Sequence, residues 1–238
     1  MELMAGVDSD LFVLPEFCFT GYTFQSRREA ESLAEDPVDS VSIGRMKELA
    51  RAKNCAVVFG FCERAPEGLF NSAAFISPIG ETRIYRKLHL FLNEKEWFLP
   101  GGERPQVFEF HGCRLGVMIC FDWIYPEVAR ALALQGAHII CHPANLVMPY
   151  CQAAMVTRSL ENRVFSITAN RIGEEVRGGF HNIFTGGSQI VSPQGDILFR
   201  GSENKEEVCV ADITYQESED KAVNSKNNLW SDRRPEYY

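Results

Sequence analysis

Three strand-like segments of the sequence each end in a side chain suited to proton transfer, charge stabilisation or nucleophilic attack. "LFVLPE" ends in Glu16, "TRIYRK" ends in Lys87 and "RLGVMIC" ends in Cys120. In α/β proteins the ends of strands line up along one edge of a sheet, and ligands bind in the crevice there. The pattern predicts that a carboxylate, an ammonium group and a thiol meet in one pocket.

The chemistry of these three groups is complementary. A thiol with a pKa of about 8.5 is a poor nucleophile until it loses its proton or pairs with a cation. Glu16 is the candidate general base, and Lys87 is the candidate cation beside the sulfur of Cys120. After attack on a C=O or C≡N carbon, Lys87 and the backbone N–H of Phe121 would hold the developing negative charge. Each residue alone also fits an ordinary turn, surface or core role, and only the combination indicates catalysis.

Strand and helix patterns alternate along the chain, which predicts an α/β fold. Helical spacing covers residues 40–54, 126–137 and 152–164. Strand-like runs cover residues 11–15, 55–63, 71–77, 82–87, 106–110, 114–120, 138–143 and 165–170, followed by "GSQIVS", "DILFR" and "EEVCVADI" in the last third.

Two segments of similar sequence each predict a hairpin. "AFISPIGETRIYRK" (74–87) and "QIVSPQGDILFR" (189–200) both place a Ser-Pro-x-Gly turn between strands. Convergent turn chemistry and an internal repeat explain the similarity equally well. Since no linker or low-complexity segment interrupts the chain, we expect a single domain over 1–238, with the polar segment 214–238 as a tail along the surface.

Composition excludes several classes of partner. The 238 residues carry a net charge of −8, which argues against nucleic acid because phosphate binding needs a concentrated basic face. No apolar run is long enough to span a membrane. The eight cysteines are too sparse for a disulfide scaffold, so we expect free thiols and a cytoplasmic protein.

Two other chemistries compete for the same residues. "HIICH" holds His138, Cys141 and His142, which would suit zinc, but on an alternating strand Cys141 faces away from the two histidines. A papain-like pair of Cys120 with His142 is the second alternative. We expect no metal and no cofactor.

Several of these segments resemble a known family. "LPEFCFTGY" (14–22), "RKLHLF" (86–91) and "GVMICFDWIYPE" (116–127) are similar to the three catalytic motifs of the nitrilase superfamily, the carbon–nitrogen hydrolases. "FLPGG", "HPANLV", "ENRVFSITANRIG" and "DRRPEYY" follow in the family's order, so the resemblance covers nearly the whole chain. It implies a four-layer α-β-β-α sandwich that forms a homodimer or a higher homo-oligomer.

The resemblance also implies roles for individual residues. It makes Glu16 the general base, Lys87 the cation that stabilises the oxyanion and Cys120 the nucleophile. A second pocket glutamate matches Glu94, with Glu96 as the competing choice, and would position Lys87 and the attacking water. The resemblance also implies that Trp123 and Asn145 line the pocket. It implies that Glu127 supports the nucleophile motif structurally.

The chain departs from the family at its start. It opens at "MELMAGVDSDLFVLPE", without the family's first strand and most of its first helix. We therefore expect one sheet edge without a partner strand. A non-catalytic member that keeps the fold as a binding module is the alternative that this departure leaves open.

The residues after the nucleophile bear on the substrate. Nitrile-specific members of the family tend to have Cys-Trp-Glu, whereas this chain has Cys-Phe-Asp-Trp. The resemblance thus favours a small amide, or an N-carbamoyl compound such as a ureido acid, hydrolysed through a thioester on Cys120. A small nitrile, which would pass through a thioimidate on the same sulfur, is the alternative.

Overall fold

Two β-sheets pack face to face, with helices on their outer sides. The computed structural model describes residues 2–237, without the side chain of Glu2. Apolar side chains of both sheets fill the space between them, including Val58 and Phe75 from one sheet and Leu115 and Val117 from the other. This is the four-layer α-β-β-α arrangement that the family resemblance implies.

The first sheet has four strands in the order β1-β2-β3-β4. They are β1 (Leu11–Val13), β2 (Ala56–Ala65), β3 (Gly68–Ile76) and β4 (Thr82–Arg86). β1 is parallel to β2, and β3 is antiparallel to both of its neighbours. Strands β1, β2 and β4 therefore run in one direction, and their C-terminal ends lie at the same edge.

The second sheet has six strands in the order β12-β11-β8-β7-β6-β5. They are β5 (Val107–Phe110), β6 (Cys113–Val117), β7 (Ile139–Ala144), β8 (Phe165–Asn170), β11 (Gln189–Val191) and β12 (Ile197–Arg200). The central strands β6, β7 and β8 are parallel, so their C-terminal ends also share one edge. A separate hairpin joins β9 (Glu174–Arg177) to β10 (Phe180–Ile183).

The helices cover the outer faces of the sheets. They are α1 (Glu2–Ala5), α2 (Arg27–Leu33), α3 (Val41–Lys53), α4 (Glu94–Trp97), α5 (Pro126–Leu134) and α6 (Cys151–Asn162). α3 places Ile43, Met46 and Ala50 against the first sheet, as its i, i+3, i+7 spacing predicts. α5 and α6 pack on the second sheet. Across residues 2–237, no helix has the length and apolar character needed to cross a membrane.

Both predicted hairpins form, β3 with β4 and β11 with β12. The prediction of a strand in "EEVCVADI" is wrong, because residues 206–213 have no strand assignment and no ladder partner in the described chain. This segment lines a cavity of about 1110 Å³, and β1 lines the same cavity. The segment therefore borders the cavity and not a neighbouring strand. Among the residues that the structure describes, β1 pairs only with β2 and is an edge strand.

The single domain, the surface tail and the homodimer stay predictions. Residues 214–237 contain two short 3₁₀ helices, Tyr215–Glu219 and Pro235–Tyr237, and are mostly exposed. Met1 and Tyr238, the ends of the predicted domain, lie outside the described residues.

A close approach of two backbones positions Glu16. After β1 the chain continues beside β2, where Gly60 donates its N–H to the Pro15 carbonyl and its own carbonyl accepts from the N–H of Cys18. A Cβ at Gly60 would lie 2.5 Å from the Cα of Glu16 and 2.8 Å from the backbone nitrogen of Phe17. Only glycine permits this contact.

Gly60→Ala is therefore expected to push the Glu16 turn off the sheet. We expect a loss of about 1–3 kcal/mol in the free energy of unfolding, measured by urea denaturation, since the added methyl overpacks a buried contact. Gly44→Ala is the matched control, because Gly44 lies in α3 and a Cβ added there would meet nothing within 4 Å. That change should raise stability by about 0.5–1 kcal/mol. Equal stabilities of the two variants would contradict this account of Gly60.

Candidate active site

Lys87 lies between two carboxylates at the C-terminal edge of the first sheet. Its Nζ donates to Oε1 of Glu16 and to Oε1 of Glu94, each at 2.8 Å. Glu16 follows β1, Lys87 follows β4, and Glu94 begins α4. Glu16 is 0 %, Lys87 1 % and Glu94 5 % exposed. Glu96, the competing choice for the second glutamate, is exposed.

Cys120 begins a 3₁₀ helix, Cys120–Ile124, just beyond the C-terminal end of β6. The strand stops at Val117, earlier than the predicted end, because the Ile119 N–H turns to the carboxylate of Asp122 at 2.9 Å. Cys120 has a φ of 40°, a left-handed conformation that is uncommon for a residue with a side chain. Its thiol lies 3.8 Å from the carbonyl oxygen of Asn145.

Asp122 connects the turn that carries Cys120 to the segment around Lys87. One of its oxygens, Oδ2, accepts from the hydroxyl of Tyr85 at 2.8 Å, and Oδ1 contacts Nδ1 of His89 at 2.8 Å. The N–H of His89 also donates to Oδ1 at 3.1 Å. Because Tyr85 is in β4 and His89 lies two residues after Lys87, these bonds fix the position of Cys120 relative to Lys87.

Burial and neighbouring charge control the protonation of the site. Burial raises the pKa of the Cys120 thiol well above its usual value, and Glu16 raises it further while Lys87 opposes the change. Burial also raises the pKa of Glu94, against the attraction of Lys87. For Lys87 burial acts to lower the pKa, but the charges of Glu16 and Glu94 outweigh it and the pKa is raised. The resting site therefore holds a neutral thiol beside a charged ammonium group.

Of the other predicted pocket residues, Asn145 contacts the Glu16 segment, whereas Phe121 and Trp123 lie in the turn that carries Cys120. Asn145 follows β7 and donates from Nδ2 to the main-chain oxygen of Glu16 at 2.8 Å, across the two sheets. Trp123 is buried in the turn after Cys120, and Phe121 packs its ring against Phe91 with 4.9 Å between centroids.

Glu127 is exposed in the first turn of α5, where an acidic side chain favours the positive end of the helix dipole. Its support of the nucleophile motif stays a prediction.

His142 contacts the backbone of Cys120. Its Nε2 lies 2.9 Å from the Cys120 carbonyl, which can only accept, so Nε2 carries the proton. Its Nδ1 lies 3.1 Å from the hydroxyl of Thr168, and burial lowers the pKa of the ring. A neutral His142 committed on both nitrogens fits a support for the left-handed Cys120 better than a general base.

The zinc site considered as an alternative has no matching cluster of ligands in the described chain. Within residues 2–237, no three His, Cys, Asp or Glu side chains gather as metal ligands. Nδ1 of His138 accepts from the N–H of Arg114 at 3.1 Å, and the Arg114 guanidinium lies beside the ring. This cationic neighbour and the contacts of His142 work against a metal ion here.

Two further residues complete the site, and the sequence interpretation did not include them. Asn71, in β3, donates from Nδ2 to Oε1 of Glu16 at 2.6 Å and to Oε2 of Glu94 at 3.3 Å. Tyr22 donates its hydroxyl to Oε1 of Glu94 at 2.8 Å. An amide inside the apolar run "LFNSAAFI" was the available signal for Asn71, because a buried polar side chain requires partners.

With this geometry established, comparisons with known proteins identify the family. The carbon-nitrogen hydrolase family model matches residues 1–222. A nitrilase of Pyrococcus abyssi is 44% identical over 230 residues, which cover 97% of this chain and 86% of that protein. An N-carbamoylputrescine amidase of Arabidopsis thaliana is 31% identical over 250 residues, covering 95% of this chain and 82% of the relative.

A solved structure extends the comparison to the fold. The crystal structure of a carbon-nitrogen hydrolase from Helicobacter pylori G27 matches with a TM-score of 0.89 at 26% identity, over 99% of this chain and 87% of that one. The chain belongs to the carbon–nitrogen hydrolase family, the nitrilase superfamily, and is a carbon–nitrogen hydrolase.

His142→Gln separates support from base catalysis at this site. A glutamine keeps an N–H donor near the Cys120 carbonyl, so we expect it to retain most of the carbon–nitrogen hydrolase activity. His142→Leu removes the donor and should lower kcat/KM by about ten- to a hundred-fold, the range of one buried hydrogen bond. Thermal unfolding of both variants controls for stability. If His142→Gln lowered kcat/KM as much as His142→Leu, the result would indicate that the imidazole takes part in proton transfer.

Proposed function

We propose that the chain hydrolyses a small amide or N-carbamoyl compound through a covalent thioester on Cys120, with Glu16 as general base, Lys87 stabilising the oxyanion and Glu94 positioning Lys87. One observation carries the proposal. Oε1 of Glu16 holds two hydrogen bonds, while Oε2 is buried without a hydrogen-bond partner in the described chain. One oxygen of this buried carboxylate is therefore available to accept a proton from a neighbouring group.

In the first half of the reaction, the Cys120 proton moves to Oε2 of Glu16 as the sulfur bonds to the carbonyl carbon. The C=O electron pair moves to the oxygen, which Lys87 and the N–H of Phe121 stabilise. Lys87 has three donors and uses two on the glutamates, so one is available. The tetrahedral intermediate then breaks its C–N bond, and the leaving nitrogen takes the proton from Glu16.

In the second half, water attacks the thioester. It gives a proton to Glu16 as its oxygen bonds to the acyl carbon, and Lys87 again faces the oxyanion. The C–S bond breaks, the sulfur recovers the proton from Glu16, and the carboxylic acid leaves. The contact between Glu94 and Lys87 keeps the cation in place through both halves. In an N-carbamoyl substrate the attack takes place at the ureido carbon.

A nitrile is the second candidate substrate, favoured by the 44% identity to a protein named nitrilase. The sulfur would add to the C≡N carbon to give a thioimidate, and two waters would then release the acid and ammonia. Asp122 stands where nitrile-specific members tend to have other residues, and its bonds to Tyr85 and His89 make it part of the structure of this turn. We therefore place the amide and N-carbamoyl classes first.

A substrate panel tests the proposal directly. Ammonia release is measured for a small aliphatic amide, a ureido acid and the matching nitrile. We expect turnover of the amide or ureido acid, and a loss of at least about 10³-fold in Cys120→Ala. Cys141→Ala, which removes another buried thiol, is the control and should keep its activity. Turnover of the nitrile alone would select the second candidate, and an active Cys120→Ala would refute the covalent mechanism.

The raised pKa of Cys120 predicts the pH dependence of its alkylation. Because the thiol stays protonated at neutral pH, its reaction with iodoacetamide should still accelerate as the pH rises beyond about 8.5, the ordinary thiol pKa. Glu16→Gln removes a negative neighbour, which lowers the pKa of Cys120, so alkylation at pH 8 should become faster while hydrolysis is lost. The modified cysteine is located by peptide mass spectrometry. A rate that is already constant between pH 6 and 8 in the unsubstituted protein would indicate a preformed thiolate instead.

A further inference from the structure

The side chain of Asn71 lies between the two glutamates of the site. It is 0 % exposed, and both protons of its Nδ2 are used, one on Glu16 and one on Glu94. The orientation of the amide is fixed by chemistry, because carboxylate oxygens accept hydrogen bonds and the amide oxygen cannot donate. Asn71 is thus a donor to both acids.

Asn71 and Lys87 close a ring with these acids. Lys87 bonds to Oε1 of each glutamate, and Asn71 bonds to Oε1 of Glu16 and Oε2 of Glu94. The main-chain oxygen of Asn71 also accepts from the N–H of Lys87 at 2.8 Å. Asn71 therefore contacts both glutamates through its side chain and holds the backbone of Lys87 through its main-chain oxygen.

The ring treats the two oxygens of Glu16 unequally. Both donors converge on Oε1, at 2.6 Å from Asn71 and 2.8 Å from Lys87, and neither reaches Oε2. Rotating the carboxylate would break both bonds at once inside a buried site, where unmade hydrogen bonds are costly. The oxygen that stays free is therefore determined by where these two donors lie.

We propose that Asn71 is a positioning residue that selects Oε2 of Glu16 as the oxygen that exchanges protons with Cys120 and the substrate. The inference rests on the proposed function for the identity of the base. The new element is that two donors, Asn71 in β3 and Lys87 just after β4, together fix the orientation of the Glu16 carboxylate, and that Lys87 alone does not. Asn71 acts through Glu16 and Glu94 and does not itself contact the reacting atoms.

Asn71→Leu tests the proposal in kinetics. We expect kcat for the amide to fall by about ten- to a hundred-fold, the range for hydrogen bonds to a charged group, with little change in KM. The acid limb of the pH–rate profile should move to higher pH, because the Glu94 carboxylate, whose pKa burial already raises, loses a hydrogen-bond donor to its charged form. A residue needed only for packing would change stability and leave the acid limb in place.

Asn162→Leu is the matched control. Asn162 is also fully buried, has a side-chain oxygen without a partner in the described chain, and lies at the end of α6 with Nδ2 on the carbonyl of Arg158. Its substitution should lower the melting temperature and leave the acid limb unchanged. If Asn71→Leu fails to fold, Asn71→Asp decides, since a new carboxylate facing two others should reduce kcat at neutral pH at least as strongly. An Asn71→Asp variant with full activity would overturn the proposal.

Crystal structures of the same variants give a readout that needs no substrate. In Asn71→Leu, the Glu16 carboxylate should rotate or occupy several orientations, whereas in Asn162→Leu it should not move. An unchanged Glu16 carboxylate in Asn71→Leu, or an unmoved acid limb in an active protein, would overturn the role of Asn71. Failure of the unsubstituted protein to hydrolyse any amide, ureido acid or nitrile would refute the proposed function instead, and the crystal structures would still decide the placement of Glu16.

Discussion

The site depends on one buried ammonium group shared by two carboxylates. Removing Lys87, Glu16 and Glu94 from water costs several kcal/mol per ion, and close contacts with good geometry are needed to offset it. The structure supplies them with two 2.8 Å bonds from Lys87, and with donors from Asn71 and Tyr22 on the acids. Each partner comes from a different segment, so the ion cluster holds only when β1, β3, β4 and α4 are assembled. Breaking such a cluster by removing one member leaves an uncompensated buried charge, which typically costs about 3–5 kcal/mol.

The same requirement explains why the nucleophile is attached to both sheets. Cys120 follows β6 of the second sheet, but its turn is held by Asp122. The partners of Asp122 are Tyr85 in β4 of the first sheet and His89 in the segment after β4. His142, from β7, supports the carbonyl of the left-handed Cys120. A residue in that conformation stores backbone strain and persists only where its surroundings over-determine it. The packing of one sheet on the other therefore sets the distance between the thiol and the ion cluster.

The sequence predicts those parts of the site that follow from strand ends. Glu16 and Cys120 come after apolar runs and Lys87 after the strand-like run "TRIYR", and the parallel direction of β1 and β4 brings Glu16 and Lys87 to one edge. Asn71 was not predicted because it lies inside a strand and acts through the register of β3 beside β2, which local pattern does not specify. Residues 206–213 contain the apolar run of a buried strand, yet a strand forms only where a neighbour offers a ladder. The hairpin of β9 and β10 is half exposed and polar, so it carries little hydrophobic signal.

Charge conservation links the ion cluster to the proposed reaction. When the Cys120 proton moves to Glu16, the negative charge of the carboxylate passes to the substrate oxygen, and the total charge of the buried site stays the same. Lys87 contacts Glu16, where the charge begins, and in the proposed mechanism it also contacts the oxyanion, where the charge ends. The step therefore creates no new charge in a medium that solvates ions poorly, and the cation needs little movement to follow it. A preformed thiolate would instead add a negative charge beside two glutamates, and the raised pKa of Cys120 reflects that cost.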